Sequence, residues 1–127
     1  MESTQQYKQS IIQQKSFKFS LKIIELYKQL YKIDKNPILL QLLRSSTSIG
    51  ANVNEATAGQ TKRDFITKMS ISSKEARETL YWLSLLKESK WYNVDLTDHF
   101  EEAHEIVKIL TKIVKTSQEN IKDGIKI

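Results

Sequence analysis

Apolar and small residues recur at alternating steps of three and four along most of this 127-residue chain. The row is longest near the C-terminus, where it runs without a break through Leu96, Phe100, Ala103, Val107, Leu110, Val114, Ser117 and Ile121. Such steps place side chains on one face of an α-helix, and that face needs a packing partner. The spacing therefore predicts amphipathic helices rather than strands.

Three earlier segments carry the same spacing, beginning at Phe19, Leu39 and Phe65. Asn36 before Pro37, and Thr61, are typical of residues that start a helix. The pattern predicts four helices, at about 14–34, 37–58, 62–89 and 97–121, with flexible ends at 1–13 and 122–127.

Four amphipathic helices joined by short loops predict one all-α domain, residues 1–127, folded as an up-down-up-down antiparallel four-helix bundle. There are only 3 Gly and 1 Pro, fewer than an all-β fold needs for its turns. The absence of cysteine excludes a disulfide framework and suits the cytoplasm. No apolar run approaches the roughly 20 residues of a membrane span, so no membrane association is expected.

The first helix carries a second apolar row, formed by Phe17, Leu21, Ile24 and Tyr31. Two adjacent rows make a wider apolar stripe than one neighbouring helix covers. A partner outside the bundle is therefore expected.

The second helix contains an unusual run of small and polar residues, "RSSTSIGANVNEA" from Arg44 to Ala56. A glycine inside a helix costs about 1 kcal/mol relative to alanine. Small residues offset that cost where another backbone approaches closely. Ser46, Gly50 and Ala51 therefore predict a tight helix crossing, either inside the bundle or between subunits.

Charged and amide side chains of the second and third helices fall at matching levels if the two helices are antiparallel. This predicts a polar network of Arg44, Asn52, Glu55, Glu75, Arg77 and Glu78. Such groups are stable when mutually bonded. The alternative is a set of ordinary surface ion pairs, which contribute little.

The net charge of +5 is unevenly distributed along the chain. It is +4 over residues 1–36 and +3 over residues 61–93, but −2 over residues 94–127. Basic helices attract polyanions such as nucleic acid, although they also serve as solvated faces. The predicted nucleic-acid surface consists of Lys15, Lys18, Lys22, Lys28, Lys32, Lys62, Arg63 and Lys68.

Catalytic motifs are scarce. Glu101 and His104 have the E-x-x-H spacing of di-iron bundles, but the required second copy is missing. There is no cysteine nucleophile and no glycine-rich phosphate loop. We therefore expect no metal, no cofactor and no enzymatic activity.

Two segments resemble a known bacterial family. "LLRSSTSIGANVNEA" and "DFITKMSISSKEARETLYWLSLL" are similar to the 23S rRNA intervening-sequence proteins, which share a structural family with the accessory variability proteins of diversity-generating retroelements. The resemblance covers about Phe17 to Thr116. Ser72 and Ser73 depart from it, because the family favours residues more like alanine and leucine there.

The resemblance implies a four-helix protein that assembles into a homo-oligomer, a pentameric ring, and that acts with rRNA or a nucleoprotein rather than as a catalyst. It also implies an alternative function. The retroelement members bind a reverse transcriptase, so a protein–protein adaptor is the second interpretation.

Overall fold

The computed structural model describes the backbone of residues 4–126 and the side chains of residues 11–122. These residues form four helices and no strand: α1 (Thr4–Ile33), α2 (Pro37–Thr57), α3 (Lys62–Ser89) and α4 (Thr97–Lys126). Both α1 and α3 pack against α2 and α4, so α1 and α3 are diagonal to each other. Short connections reverse the chain after each helix. The predicted up-down-up-down four-helix bundle is confirmed.

The first and last helices are longer than predicted. α1 begins at Thr4 rather than at about residue 14, and α4 continues to Lys126 rather than ending at about residue 121. Ile12 is fully buried, so the core row of α1 starts about two turns before Phe19. Of the ends predicted to be flexible, residues 1–3 and 127 lie outside the described residues.

Side-chain caps set where two of the helices start. Asn36 Oδ1 accepts a hydrogen bond from the Ile38 N–H at 2.9 Å, with Pro37 at the first helical position. Thr61 Oγ1 accepts from the Asp64 N–H at 3.0 Å. These bonds satisfy N–H groups that the first turn of a helix leaves unpaired.

The connection between α3 and α4 is tied to the end of α1. The Trp91 indole N–H donates to Asp34 Oδ2 at 2.5 Å, and the Tyr92 hydroxyl donates to the Asp34 carbonyl at 2.6 Å. Burial raises the pKa of the Tyr92 hydroxyl. Two loops at one end of the bundle are thereby held together.

The core lies along the bundle axis, and in α4 it is formed by Ala103, Ile106, Leu110 and Ile113, whereas the predicted row members Val107 and Val114 are half-buried beside it. The largest fully buried side chains come from every helix: Phe19, Ile12, Ile23, Leu39, Leu42, Ile49, Met69, Leu83, Leu86, Ile106, Leu110 and Ile113. Burial of this apolar surface is the main term that stabilises the bundle.

Candidate functional site

Gly50 lies where α2 passes close to α1. A methyl group built at Gly50 would lie 3.4 Å from Ser16 Oγ and 3.7 Å from the Ser16 carbonyl carbon. Ser46 is fully buried, and its carbonyl accepts a hydrogen bond from the Ser20 hydroxyl at 3.4 Å. Ala51, the third residue of the predicted crossing, is exposed. The structure therefore has a close approach inside the bundle, between α2 and α1.

Buried hydroxyl groups join α2 to α3. Ser45 Oγ lies 2.9 Å from Thr79 Oγ1, and the Thr79 hydroxyl is also 2.9 Å from the Glu75 carbonyl. The Ser72 hydroxyl donates to the Ile49 carbonyl at 2.8 Å. Because these hydroxyls are bonded, small polar residues occupy the interface without leaving a buried polar group unsatisfied.

Three residues of the predicted polar network lie together at the outer edge of this interface. The Glu75 carboxyl lies close enough to Glu78, Ser48 and Arg44 for all three to affect its pKa, while the Ser48 hydroxyl itself donates to the Arg44 carbonyl at 2.7 Å. Burial and then the neighbouring Glu78 carboxyl raise the pKa of Glu75, while Ser48 and Arg44 act in the opposite direction. Glu75 therefore favours its protonated form more than a fully solvated glutamate does.

The structure does not bring the other three network residues to this carboxyl pair. Asn52 donates to the Ser48 carbonyl of its own helix at 2.8 Å, and Glu55 is exposed. Arg77 lies on the opposite side of α3, against α4, where it donates to Ser73 Oγ at 2.9 Å. Two residues span more than half a helical turn, so Arg77 is directed away from Glu75.

The second apolar row of α1 is exposed on the side next to α2. Its members Phe17, Leu21, Ile24 and Tyr31 are exposed to 63%, 52%, 38% and 39%. The groove beside this row is lined by Phe17 together with Thr47, Gly50 and Ala51 of α2. We call these seven residues the α1–α2 face. The bundle alone leaves this face uncovered.

The residues predicted to bind nucleic acid do not form one continuous surface. Lys15, Lys18, Lys22, Lys28 and Lys32 lie on α1, whereas Lys62, Arg63 and Lys68 lie at the start of the diagonal helix α3. Three of the α1 lysines also form ion pairs: Lys15 with Glu105, Lys22 with Glu102 at 3.4 Å and Lys28 with Glu25 at 3.4 Å. The positive charge of α1 is therefore partly neutralised by α4 and by α1 itself.

Another basic surface, missed by the sequence reasoning, lies between α3 and α4. A groove there is lined by Ser70, Ser73 and Arg77 of α3 and by Thr111, Val114, Lys115 and Gln118 of α4. Summing the charge over residues 94–127 conceals it, because the acidic first half of α4 cancels the basic second half. The signal that identifies it is the spacing of Lys108, Lys112 and Lys115 on one helical face.

The E-x-x-H residues lie on the outer surface of α4. Glu101 and His104 are exposed, and the His104 ring lies 6.4 Å from the ring of Phe100. Across the described residues, three or more His, Asp or Glu side chains nowhere gather in a way that could hold a metal ion. In the same part of the chain, every helix is too short or too polar to span a membrane.

Comparison with known proteins agrees with the four-helix architecture. The model of the family described as "23S rRNA-intervening sequence protein" matches residues 8–112. A crystal structure of a protein of unknown function from the S23 ribosomal protein family of Bacteroides thetaiotaomicron is 39% identical, with a TM-score of 0.81 over 85% of this chain and 98% of that one. No curated protein matches significantly. The chain belongs to the 23S rRNA-intervening sequence protein family.

Proposed function

We propose that this protein is a non-enzymatic, cytoplasmic subunit of a homo-oligomer that associates with RNA. The description of its family names 23S rRNA, and its structural relative is assigned to a ribosomal protein family. The chain carries 20 Lys and Arg against 15 Asp and Glu, which favours a polyanionic partner.

The exposed α1–α2 face is the observation that carries the homo-oligomer. Phe17, Leu21 and Ile24 recur at steps of four and three, so they form one continuous apolar row on α1. Contiguous exposed apolar patches on soluble proteins mark interaction sites. A second copy of the chain is the occupant that we propose for this face.

Gly50 supports an occupant from outside the chain. A methyl group at this position would meet only ordinary contacts, and alanine is favoured over glycine inside a helix by about 1 kcal/mol. Packing within the bundle therefore does not require glycine. Because Gly50 lies in the open groove of the α1–α2 face, a missing side chain leaves room for one from a neighbouring subunit.

Two exposed apolar side chains of α3, separated by almost three helical turns, are compatible with a ring. Ile71 and Tyr81 of α3 are exposed to 38% and 57%, and α3 is diagonal to α1. A ring uses two different surfaces of each subunit, whereas a two-fold dimer uses the same surface twice. Contact between the α1–α2 face of one subunit and α3 of the next is compatible with the pentamer that the family resemblance implies.

The homo-oligomer is tested by sedimentation of a charge-insertion variant. Phe17→Glu combined with Leu21→Glu should reduce the assembly to a monomer of 14.8 kDa while the circular dichroism spectrum stays helical. Ile33→Glu is the control, because Ile33 is an apolar α1 residue exposed to 74% outside this face. A wild-type protein that sediments as a monomer would reject the homo-oligomer and leave the α1–α2 face to a different protein, as in the adaptor interpretation.

RNA association is tested by filter binding of wild-type protein to a structured RNA. We expect the affinity to fall by orders of magnitude between about 50 and 200 mM salt, because lysine–phosphate contacts release counterions. Absence of binding at low salt, or binding that is indifferent to salt, would contradict the RNA part of the proposal.

A further inference from the structure

The groove between α3 and α4 combines cations with neutral hydrogen-bond donors. Its polar lining consists of Ser70, Ser73, Arg77, Thr111, Lys115 and Gln118. Hydroxyl, amide, guanidinium and ammonium groups are the side-chain donors that proteins direct at phosphate oxygens. A groove of this composition therefore fits a chain of phosphodiesters better than it fits an apolar or cationic partner.

Three further exposed cations lie on the same two helices, outside the lining of the groove itself. Lys74 is three residues before Arg77 on α3, and Lys108 and Lys112 precede Lys115 by seven and three residues on α4. These separations place each set on one side of its helix. All five side chains are exposed, so they are accessible to a macromolecule.

These cations differ from the lysines of α1 in their neighbours. Among residues 11–122, the ion pairs involve Lys15, Lys22 and Lys28, and none involves a cation of the α3–α4 groove. Carboxylates are close in sequence, since Glu78 is four residues after Lys74, Glu105 is three before Lys108 and Glu119 is four after Lys115, but none of these pairs is within ion-pair distance in the described residues. Cations without a carboxylate partner release more counterions when phosphate binds.

Arg77 is held in place before any ligand arrives. Its guanidinium donates to Ser73 Oγ at 2.9 Å, which restricts the rotamers of a long side chain. Arginine presents several N–H groups in a planar fork, so the remaining donors are available for phosphate oxygens.

The bundle order separates this groove from the proposed subunit contact. Because the helices follow one another around the bundle as α1, α2, α3 and α4, the α3–α4 side is opposite the α1–α2 side. The α1–α2 contact of a subunit therefore leaves its own α3–α4 groove open, whereas the ring contact proposed at Ile71 and Tyr81 of α3 runs beside Lys74, so the cations of α4 are the part of the surface that a ring leaves most accessible.

We propose that the α3–α4 groove, with Lys74, Arg77, Lys108, Lys112 and Lys115, is the surface that binds the phosphodiester backbone of RNA. The inference rests on the proposed RNA association and specifies where it occurs. It replaces the α1 lysines by the cations of α3 and α4 as the main phosphate contacts.

The test compares two double variants with the same loss of charge. Lys112→Gln with Lys115→Gln removes two cations of the groove, whereas Lys18→Gln with Lys32→Gln removes two exposed α1 lysines. Filter binding to one RNA hairpin is measured over a series of salt concentrations. The groove variant should bind roughly ten- to a hundred-fold more weakly at about 0.1 M salt, with a salt slope shallower by about two. The α1 variant should keep the wild-type slope.

Each result decides between the proposals. Equal losses for the two variants, or a wild-type slope for the groove variant, would overturn the groove while leaving RNA association intact. A wild-type protein without RNA affinity would reject both. Circular dichroism, thermal unfolding and sedimentation of both variants establish that fold and assembly are unchanged, because all four substitutions are at exposed helical positions.

Discussion

At the scale of single residues, small side chains of α2 contact two different helices, α1 and α3. Gly50 and Ser46 bring α2 close to α1, while Ser45 is hydrogen-bonded to Thr79 of α3. A methyl group fits at Gly50, but a larger apolar residue at the buried Ser46 would move the helices apart, and one at Ser45 would leave the Thr79 hydroxyl without this partner. The polar run in the middle of α2 is therefore explained by interhelical contacts, not by helix propensity.

The effect of a substitution at Gly50 on stability should change sign with the size of the new side chain. Gly50→Ala should stabilise the protein by about 0.5–1 kcal/mol, because alanine favours the helix and its methyl group fits beside Ser16. Gly50→Leu should destabilise it by about 1–3 kcal/mol, because a longer side chain overpacks the crossing. Urea unfolding measures both. A leucine variant as stable as the alanine variant would contradict the close approach.

At the scale of helices, the two long interfaces differ in how their polar groups are paired. Across α1–α4, the Lys15–Glu105 and Lys22–Glu102 pairs are substantially exposed, and pairs of this kind contribute little to stability. Across α2–α3, the hydroxyl bonds are buried and Glu75 is partly withdrawn from water. The α2–α3 interface therefore carries more of the specificity of the fold.

The Glu75–Glu78 pair should make this interface sensitive to pH. The pKa of Glu75 is raised in the folded protein by burial and by Glu78. Glu75 therefore contributes most to the stability of the folded state when it is protonated. That stability is fully present below about pH 4.5, the ordinary value, and is lost as the pH rises through the folded-state pKa. Glu75→Gln should therefore raise the unfolding temperature at neutral pH.

The gain from Glu75→Gln should disappear under acidic conditions, where wild-type Glu75 is protonated. Glu55→Gln, which removes an exposed carboxylate from α2, provides the matched control for the change in net charge. Thermal unfolding across the acidic and neutral range measures the effect. A gain in unfolding temperature that is independent of pH, or equal in the control, would show that folding does not raise the pKa of Glu75.

At the scale of the whole molecule, opposite sides of the bundle have different chemistry. The α1–α2 face carries an exposed apolar row, whereas the α3–α4 groove carries exposed cations. Assembly through one side and ligand binding through the other are physically compatible.

Subunit association should link stability to protein concentration. If the α1–α2 face is covered by another copy, the unfolding temperature should rise by several degrees across a hundred-fold increase in concentration, by mass action. The Phe17→Glu, Leu21→Glu variant should lose this dependence and Ile33→Glu should retain it. An unfolding temperature of the wild-type protein that is constant over that range would contradict association through this face.

The fold was accessible to prediction because helix periodicity is a local property. The rows beginning at Phe19, Leu39 and Phe65 identify the helices, and the caps Asn36 and Thr61 are short-range signals. The start of α1 was less accessible, since Ile12 belongs to the core row only when the packing of the neighbouring helices is known.

The chemistry of the surface was harder to predict from the sequence, because it depends on neighbours that are distant in the chain. Lys15 and Lys22 are basic in sequence but lie against Glu105 and Glu102 of α4. Arg77 has a spacing compatible with α2, yet the rotation of α3 directs it to α4. By itself, then, the sequence determined four amphipathic helices and their order, since the spacing of apolar residues is set within each segment. Tertiary structure alone decided which charges cancel, which hydroxyls meet and which cations share a groove, because those relations arise from helix rotation and packing across the bundle.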